Sequence, residues 1–420
     1  MTTKPITAVI LGAGHRSLIY GDLSLRYPEQ LKIVAVADIN PEKAAFAAER
    51  YGVPKERVYH SLEELVRAGK IADVVINGTL DEYHVPTSLP LLSLGYDMLL
   101  EKPFATNTSD LAELYVCARR NKSRVLVCHV LRYASYYRAI QEKLAEGAIG
   151  KIVSINMTCD VSLHHTVIAY VRGQWNNESV SAPLLLAKGC HDVDLMTWLM
   201  GKNSPETVYS VGSDYTFDET HAPDDCGTRC LVDCALEKEC PYSAAKHYLG
   251  ENCPHAYLVW RNAKLTEEEK IHALKTTNPY GRCVWKCGHK GVDHQTLTVT
   301  FADGAVGIFT MTCGAPRDER RIYIVGTQGS ISGVFEENCF TLRRYDAEKE
   351  YTETVIKTEI PASERHGGGD EALMLDFCNY IRGGEPSRSC TELSDSLAGH
   401  LVVFAAEKSR KTGKAIKMEI

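Results

Sequence analysis

Six consecutive apolar or β-branched positions, Ile6 to Leu11, open the patterned part of the chain. A run with no polar face predicts a strand buried inside a parallel sheet. It breaks at Gly12-Ala13-Gly14-His15-Arg16-Ser17, and a second such run covers Leu31 to Ala37. Amphipathic segments then alternate with apolar runs up to about residue 130. Residues 41–51 predict a helix, with Asn40 as its cap and Gly52 as its stop. Residues 60–65 begin another helix, and residues 72–77, 96–100 and 124–128 predict further strands. This β-α-β alternation implies a mostly parallel sheet covered on both faces.

Near residue 133 the pattern changes. Residues 136–146 form an amphipathic helix ended by Gly147, and residues 151–159, 295–301, 305–312 and 321–325 predict strands. Asp303-Gly304 between two of them is a hairpin turn. The second sheet is therefore expected to be largely antiparallel, with helices, including 190–200, over one face. A segment over about 214–292, rich in Cys, Tyr, Pro and charge, reads as an insertion. Residues 370–381 and 394–411 are helical again.

The totals narrow the possibilities. At 420 residues the chain is long enough for two or three cores. A net charge of −7 gives no electrostatic case for nucleic acid or an anionic membrane. No apolar run approaches a membrane span, and the first strand begins too early to leave room for a signal peptide. A cytoplasmic location is expected, and with it reduced thiols or metal ligands among the 15 cysteines.

The first turn carries candidate chemistry. Gly12 permits a sharp exit from the strand, and Gly14 lets a pyrophosphate approach the backbone. Ser17 replaces the third glycine of G-x-G-x-x-G and is small enough for close helix–strand packing. Asp38 ends the second strand, where a carboxylate accepts the ribose hydroxyls of an adenosine and repels a 2′-phosphate. Strand, glycine turn, helix, strand and acid in that order predict a dinucleotide site favouring NAD over NADP. Within the insertion the thiols run Cys226, Cys230, Cys234 and Cys240, then Cys253, Cys283 and Cys287. Zinc held by Cys230, Cys234 and Cys240, with Cys226, Cys253 or Cys283 as fourth ligand, is one expectation. Buried free thiols are the other.

A third motif, Glu101-Lys102-Pro103, closes a predicted strand. With the Gly12–Arg16 turn, Gly147-Ala148-Ile149-Gly150-Lys151-Ile152 and Gly189-Cys190-His191-Asp192-Val193-Asp194, it resembles the Gfo/Idh/MocA family of sugar and cyclitol oxidoreductases. The resemblance is strongest over residues 5–201 and returns over 292–329 and 366–377. It implies an α/β chain: an N-terminal Rossmann domain over 1–130 and a C-terminal α+β domain over 131–420 with a large, mostly antiparallel open sheet. It also implies a homodimer or homotetramer. His15, Arg16, Thr79, His84 and Glu101 become candidate cofactor contacts beside Gly12, Gly14 and Asp38.

Lys102, at the carboxyl end of a parallel strand, is placed to exchange the proton of a secondary alcohol while a hydride leaves. His191 is expected to share that transfer or hold a substrate hydroxyl. Many relatives carry an Asp four residues before this His; here the position is Ala187, followed by Lys188, which alters the charge at the site. Arg132, Arg172, Trp175, Lys188 and His366 are candidate sugar contacts. The function expected is NAD-dependent hydride transfer from a sugar, sugar derivative or cyclitol. The alternative is a glycoside-cleaving enzyme that uses NAD transiently, by oxidation and elimination.

Overall fold

The computed structural model describes residues 4–250, 256–260, 265–359 and 365–418. Its first sheet has six strands: Ile6–Leu11 (β1), Leu31–Ala37 (β2), Val58–Tyr59 (β3), Val74–Asn77 (β4), Asp97–Leu100 (β5) and Val125–Val127 (β6). Their order is β3-β2-β1-β4-β5-β6, and every neighbouring pair is parallel. The chain reverses direction across the sheet at β1 and β4, so a crevice opens at their carboxyl ends. The helix Pro41–Tyr51 keeps its expected bounds because Asn40 accepts from the N–H groups of Glu42 and Lys43 and Gly52 turns left-handed.

The second sheet has nine strands: Ile152–Ser162 (β7), Pro205–Ser213 (β8), His294–Phe301 (β9), Val306–Ala315 (β10), Glu319–Gly326 (β11), Gly329–Val334 (β12), Cys339–Asp346 (β13), Glu350–Lys357 (β14) and Ile416–Lys417 (β15). The order is β14-β13-β12-β11-β7-β10-β9-β8-β15. Only β7 and β10 pair in parallel; all other neighbours are antiparallel. Helices Cys190–Leu199 and Leu393–Thr412 bury one face of this sheet, contributing Val193, Met196, Val402 and Ala406 to its core. The other face stays open. The helix Gly369–Ile381 returns to the first sheet, where Leu373, Met374 and Phe377 join the core under β1 and β2. Among the described residues no helix is long and apolar enough to cross a membrane.

Candidate active site

The glycine turn is built as its sequence requires. Gly12 has φ +77°, and a Cβ there would lie 2.8 Å from the Gly78 carbonyl oxygen, so only glycine fits without strain. Gly14 is open: its nearest such contact is 3.9 Å away. Ser17 is fully buried, and a Cβ on Gly78 would lie 2.1 Å from its hydroxyl, so helix and β4 pack at glycine distance. Asp38 is half-buried at the tip of β2. Its Oδ2 accepts from the Ala13 N–H at 2.7 Å and its Oδ1 from the Asn40 N–H at 2.7 Å, which ties the glycine turn to the acid. His15 is exposed at the helix start, and Ile39 beside Asp38 is 85% exposed. An open Gly14, an acid fixed beside the turn and an uncovered apolar residue fit a dinucleotide.

Arg16 is placed differently from the expectation. Its Nε donates to Glu101 at 2.9 Å, and its guanidinium also binds Tyr20 and Asp370, the latter at 2.6 Å. Glu101 is buried, accepting further from Tyr20 at 2.7 Å and from the Lys102 N–H at 2.9 Å. Burial pushes the Glu101 carboxyl up, but the charges of Arg16 and Lys102 outweigh it and hold it below its ordinary value. This bracket fixes the backbone at Lys102. Asp370, which sequence reasoning missed, also accepts from His366 Nδ1 at 3.0 Å.

Lys102 is half-buried, and the peptide bond before Pro103 is cis. Its Nζ donates to the Ala187 carbonyl at 2.7 Å, crossing from the first sheet to the second unit. Ala187 and Lys188 lie in a π-helical turn, Leu185–Gly189, that runs directly into the helix Cys190–Leu199. His191, in the first turn of that helix, is 9% exposed. Burial, then the neighbouring Lys102 and His129, push its pKa well below the ordinary histidine value. Lys188 meets His165 Nδ1 at 3.4 Å, and burial followed by the charge of Arg320 lowers its pKa. Trp175 donates its indole N–H to Asp81 Oδ2 at 2.7 Å and leans on Tyr170, closing one wall. Thr79 bonds Asn77 Oδ1 at 2.9 Å, and buried His84 bridges the carbonyls of Thr79 and Pro103 at 3.1 and 2.7 Å, so both brace the crevice floor.

Two candidate sugar contacts are buried and hydrogen-bonded to the protein itself. Arg132 is 2% exposed and grips Asp194 with Nε at 2.7 Å and a terminal nitrogen at 2.6 Å. Arg172 is 3% exposed. It donates to the carbonyls of Arg282 and Tyr242 at 2.7 and 2.9 Å and to Cys230 Sγ at 3.4 Å. This also corrects the zinc expectation. Cys226, Cys230, Cys234, Cys240 and Cys283 do line one pocket, but all carry free thiols and Arg172 lies along the same wall. Among the described residues no three His, Cys, Asp or Glu side chains are disposed to hold a metal ion. Cys253 lies outside the described residues.

A glycine-turn Rossmann sheet facing an open mixed sheet, with a lysine bridging the two, defines a nicotinamide-dependent oxidoreductase. Residues 6–129 match the oxidoreductase family's NAD-binding Rossmann fold, and residues 141–419 match its C-terminal alpha/beta domain. The chain belongs to the Gfo/Idh/MocA family. It is 25% identical over 410 residues to YteT of Bacillus subtilis (strain 168), covering 93% of this chain and 91% of that one. It is 29% identical over 181 residues to the trans-1,2-dihydrobenzene-1,2-diol dehydrogenase of Xenopus tropicalis, spanning 43% of this chain and 52% of the relative. In fold it is similar to levoglucosan dehydrogenase in complex with NADH and levoglucosan (TM-score 0.71, 18% identity, 99% of each chain). It is likewise similar to the WlbA dehydrogenase of Bordetella pertussis in complex with NADH and UDP-GlcNAcA (TM-score 0.68, 18% identity, 100% and 99% covered).

Proposed function

We propose that the protein oxidises a secondary alcohol of a sugar, sugar derivative or cyclitol, with NAD preferred over NADP. The observation that carries this reading is Lys102: a side chain whose Nζ reaches the Ala187 carbonyl at the mouth of β5, beside His191. When bound, the nicotinamide supplies the hydride acceptor. Gly12, Gly14 and Asp38 hold the dinucleotide, and the Arg16–Glu101–Asp370 bracket keeps Lys102 in place. Lys102 takes the hydroxyl proton. His191, kept neutral by its burial, holds a neighbouring substrate hydroxyl. Trp175 offers an aromatic wall to the apolar ring face of the substrate, with Lys188 and His366 beside it. The relatives' activities on diols and sugars support this class.

The open sheet supports pairing with a second copy. Register places Val355, Thr341, Ser332, Tyr323, Asn156, Ile308, Thr298 and Tyr209 in one row across eight strands. Val355 is 55%, Tyr323 46% and Tyr209 45% exposed, so the row leaves tyrosine and aliphatic side chains in solvent between Thr, Ser and Asn positions. The test of function is a panel of sugars and cyclitols incubated with NAD. Stoichiometric NADH with an oxidised sugar supports the reading. An aglycone released at catalytic NAD, with no net reduction, overturns it in favour of glycoside cleavage.

A further inference from the structure

Two cations of the second unit stand beside His191 with bonding capacity unspent. Lys188 follows Ala187, whose carbonyl Lys102 reaches, and precedes His191 by three residues in a continuous helical run. Its Nζ meets His165 Nδ1 at 3.4 Å, and among the described residues it forms no ion pair. An ammonium carries three donors, so two are left over. Arg320 lies on β11, in register with Cys159 of β7. Its Nε donates to Asp192 Oδ1 at 2.8 Å, and its two terminal nitrogens have no hydrogen-bond partner among the described residues. The charge of Arg320 acts on both Lys188 and His191, and that of Lys188 on His366.

The carboxylates nearby are engaged elsewhere. Asp192 is fully buried and meets Arg320 through one oxygen. Asp318 accepts from the Ser162 N–H at 3.0 Å and hydroxyl at 2.9 Å and lies 3.4 Å from His165 Nδ1. Glu101 and Asp370 are bound to Arg16. Lys188 and Arg320 are therefore like charges close enough to repel, in a part of the molecule where burial already disfavours the ammonium. Structure alone gains nothing from that arrangement, whereas an incoming anion relieves it.

The donors also say which anion. The end of a guanidinium is a planar fork that matches the two oxygens of a carboxylate, and an ammonium adds a third donor from the side. Asp192 already balances the charge of Arg320, so one positive charge is left, which suits a monoanion better than a phosphate dianion.

We propose that Lys188 and Arg320 select an acidic sugar as substrate, holding its carboxylate between ammonium and fork while the alcohol to be oxidised lies at Lys102 and His191. The inference deepens the alcohol oxidation proposed above and rests on it.

Calorimetry with NADH-saturated wild type tests this before any turnover, using D-glucuronate, D-galacturonate and D-gluconate against D-glucose, D-galactose and glucose 6-phosphate. At least one acid is expected to bind about 10-fold or more tighter than its neutral parent and tighter than the phosphate, the scale of a charge-assisted hydrogen bond. Lys188→Met is expected to cut that acid-to-neutral ratio by about 10- to 100-fold, and Lys188→Arg to restore part of it. Where the acid is turned over, its KM should rise in Lys188→Met by a larger factor than kcat falls. The variant should melt no lower than wild type, because a cation without a counter-charge has been removed. An acid bound selectively but never oxidised supports this assignment and overturns only the alcohol oxidation. No acid bound, a neutral parent or the phosphate bound as tightly, or an acid preference that survives Lys188→Met overturns the proposal.

Discussion

Replacing Arg132 by methionine removes a buried charge pair in the second unit. The side chains of Arg132 and Asp194 are 2% and 1% exposed, and two hydrogen bonds of 2.6 and 2.7 Å join them. Two weaker bonds, to the carbonyls of Asp395 at 3.2 Å and Cys390 at 3.4 Å, go as well. Methionine fills much of the volume, so the cost is dominated by the carboxylate left alone. Breaking a buried pair in this way costs about 3–5 kcal/mol. At roughly 2–4 °C per kcal/mol, the expected fall in melting temperature is on the order of 10 °C. The loss has a direction in pH. Burial already raises the Asp194 carboxyl, and without Arg132 it rises further. A folded-state carboxyl above its unfolded value of about 3.9 costs stability that grows as pH rises from the unfolded value to the folded one and stays constant above it. The deficit is therefore smaller at pH 5 than at pH 8. Urea unfolding at both pH values, for wild type, Arg132→Met and Arg132→Met with Asp194→Leu, measures this. The double variant, with no buried charge left, is expected to regain most of the loss. A single variant within about 1 kcal/mol of wild type, or a double variant worse than the single, refutes the reasoning.

Three further outcomes follow from the site. Asp38→Ser removes the carboxylate that would repel a 2′-phosphate; two like charges at about 4 Å repel by about 1–4 kcal/mol, so the NADPH-to-NADH affinity ratio should rise roughly 5- to 10³-fold by calorimetry. Gly12→Ala puts a side chain at φ +77° against the Gly78 carbonyl; NADH affinity and stability should both fall, the latter by more than about 1 kcal/mol. For Asp370, burial pushes the carboxyl up but the His366 bond and the Arg16 charge outweigh it, leaving it below its ordinary value. Its stabilisation is present above about pH 4 and lost below, so the urea deficit of Asp370→Asn should shrink as pH falls through that range.

Where a local rule decides the structure, the sequence is enough. Asn40, Pro41 and Gly52 bound one helix by capping alone, and Asp303-Gly304 turns β9 into β10. The Gly12 turn, Asp38 and Glu101-Lys102-Pro103 stand where their motifs put them. Strands β3, β8, β12, β13, β14 and β15 went unread. β12 is Gly-Ser-Ile-Ser-Gly-Val, and edge strand β14 is polar and almost wholly exposed, so neither shows an apolar run. Charged side chains were the least legible. Arg132 and Arg172 looked like sugar contacts because their burial partners lie far along the chain, at Asp194, Tyr242 and Arg282. Arg16 sits in a nucleotide motif but spends its guanidinium on Glu101 and Asp370. His129 and His400 belong to no motif, and only the packing of three elements brings them behind His191.

The central claim is that the dinucleotide lies beside Lys102 and that this side chain accepts the hydroxyl proton. Calorimetric titration of NADH into wild type and Lys102→Ala, followed by turnover of the same two preparations with the best alcohol of the panel, tests it most directly. Equal NADH affinity with turnover reduced about 10²- to 10⁴-fold in the variant is the predicted result. Absence of NADH binding to the wild type, or a variant that turns over as fast as the wild type, would contradict it.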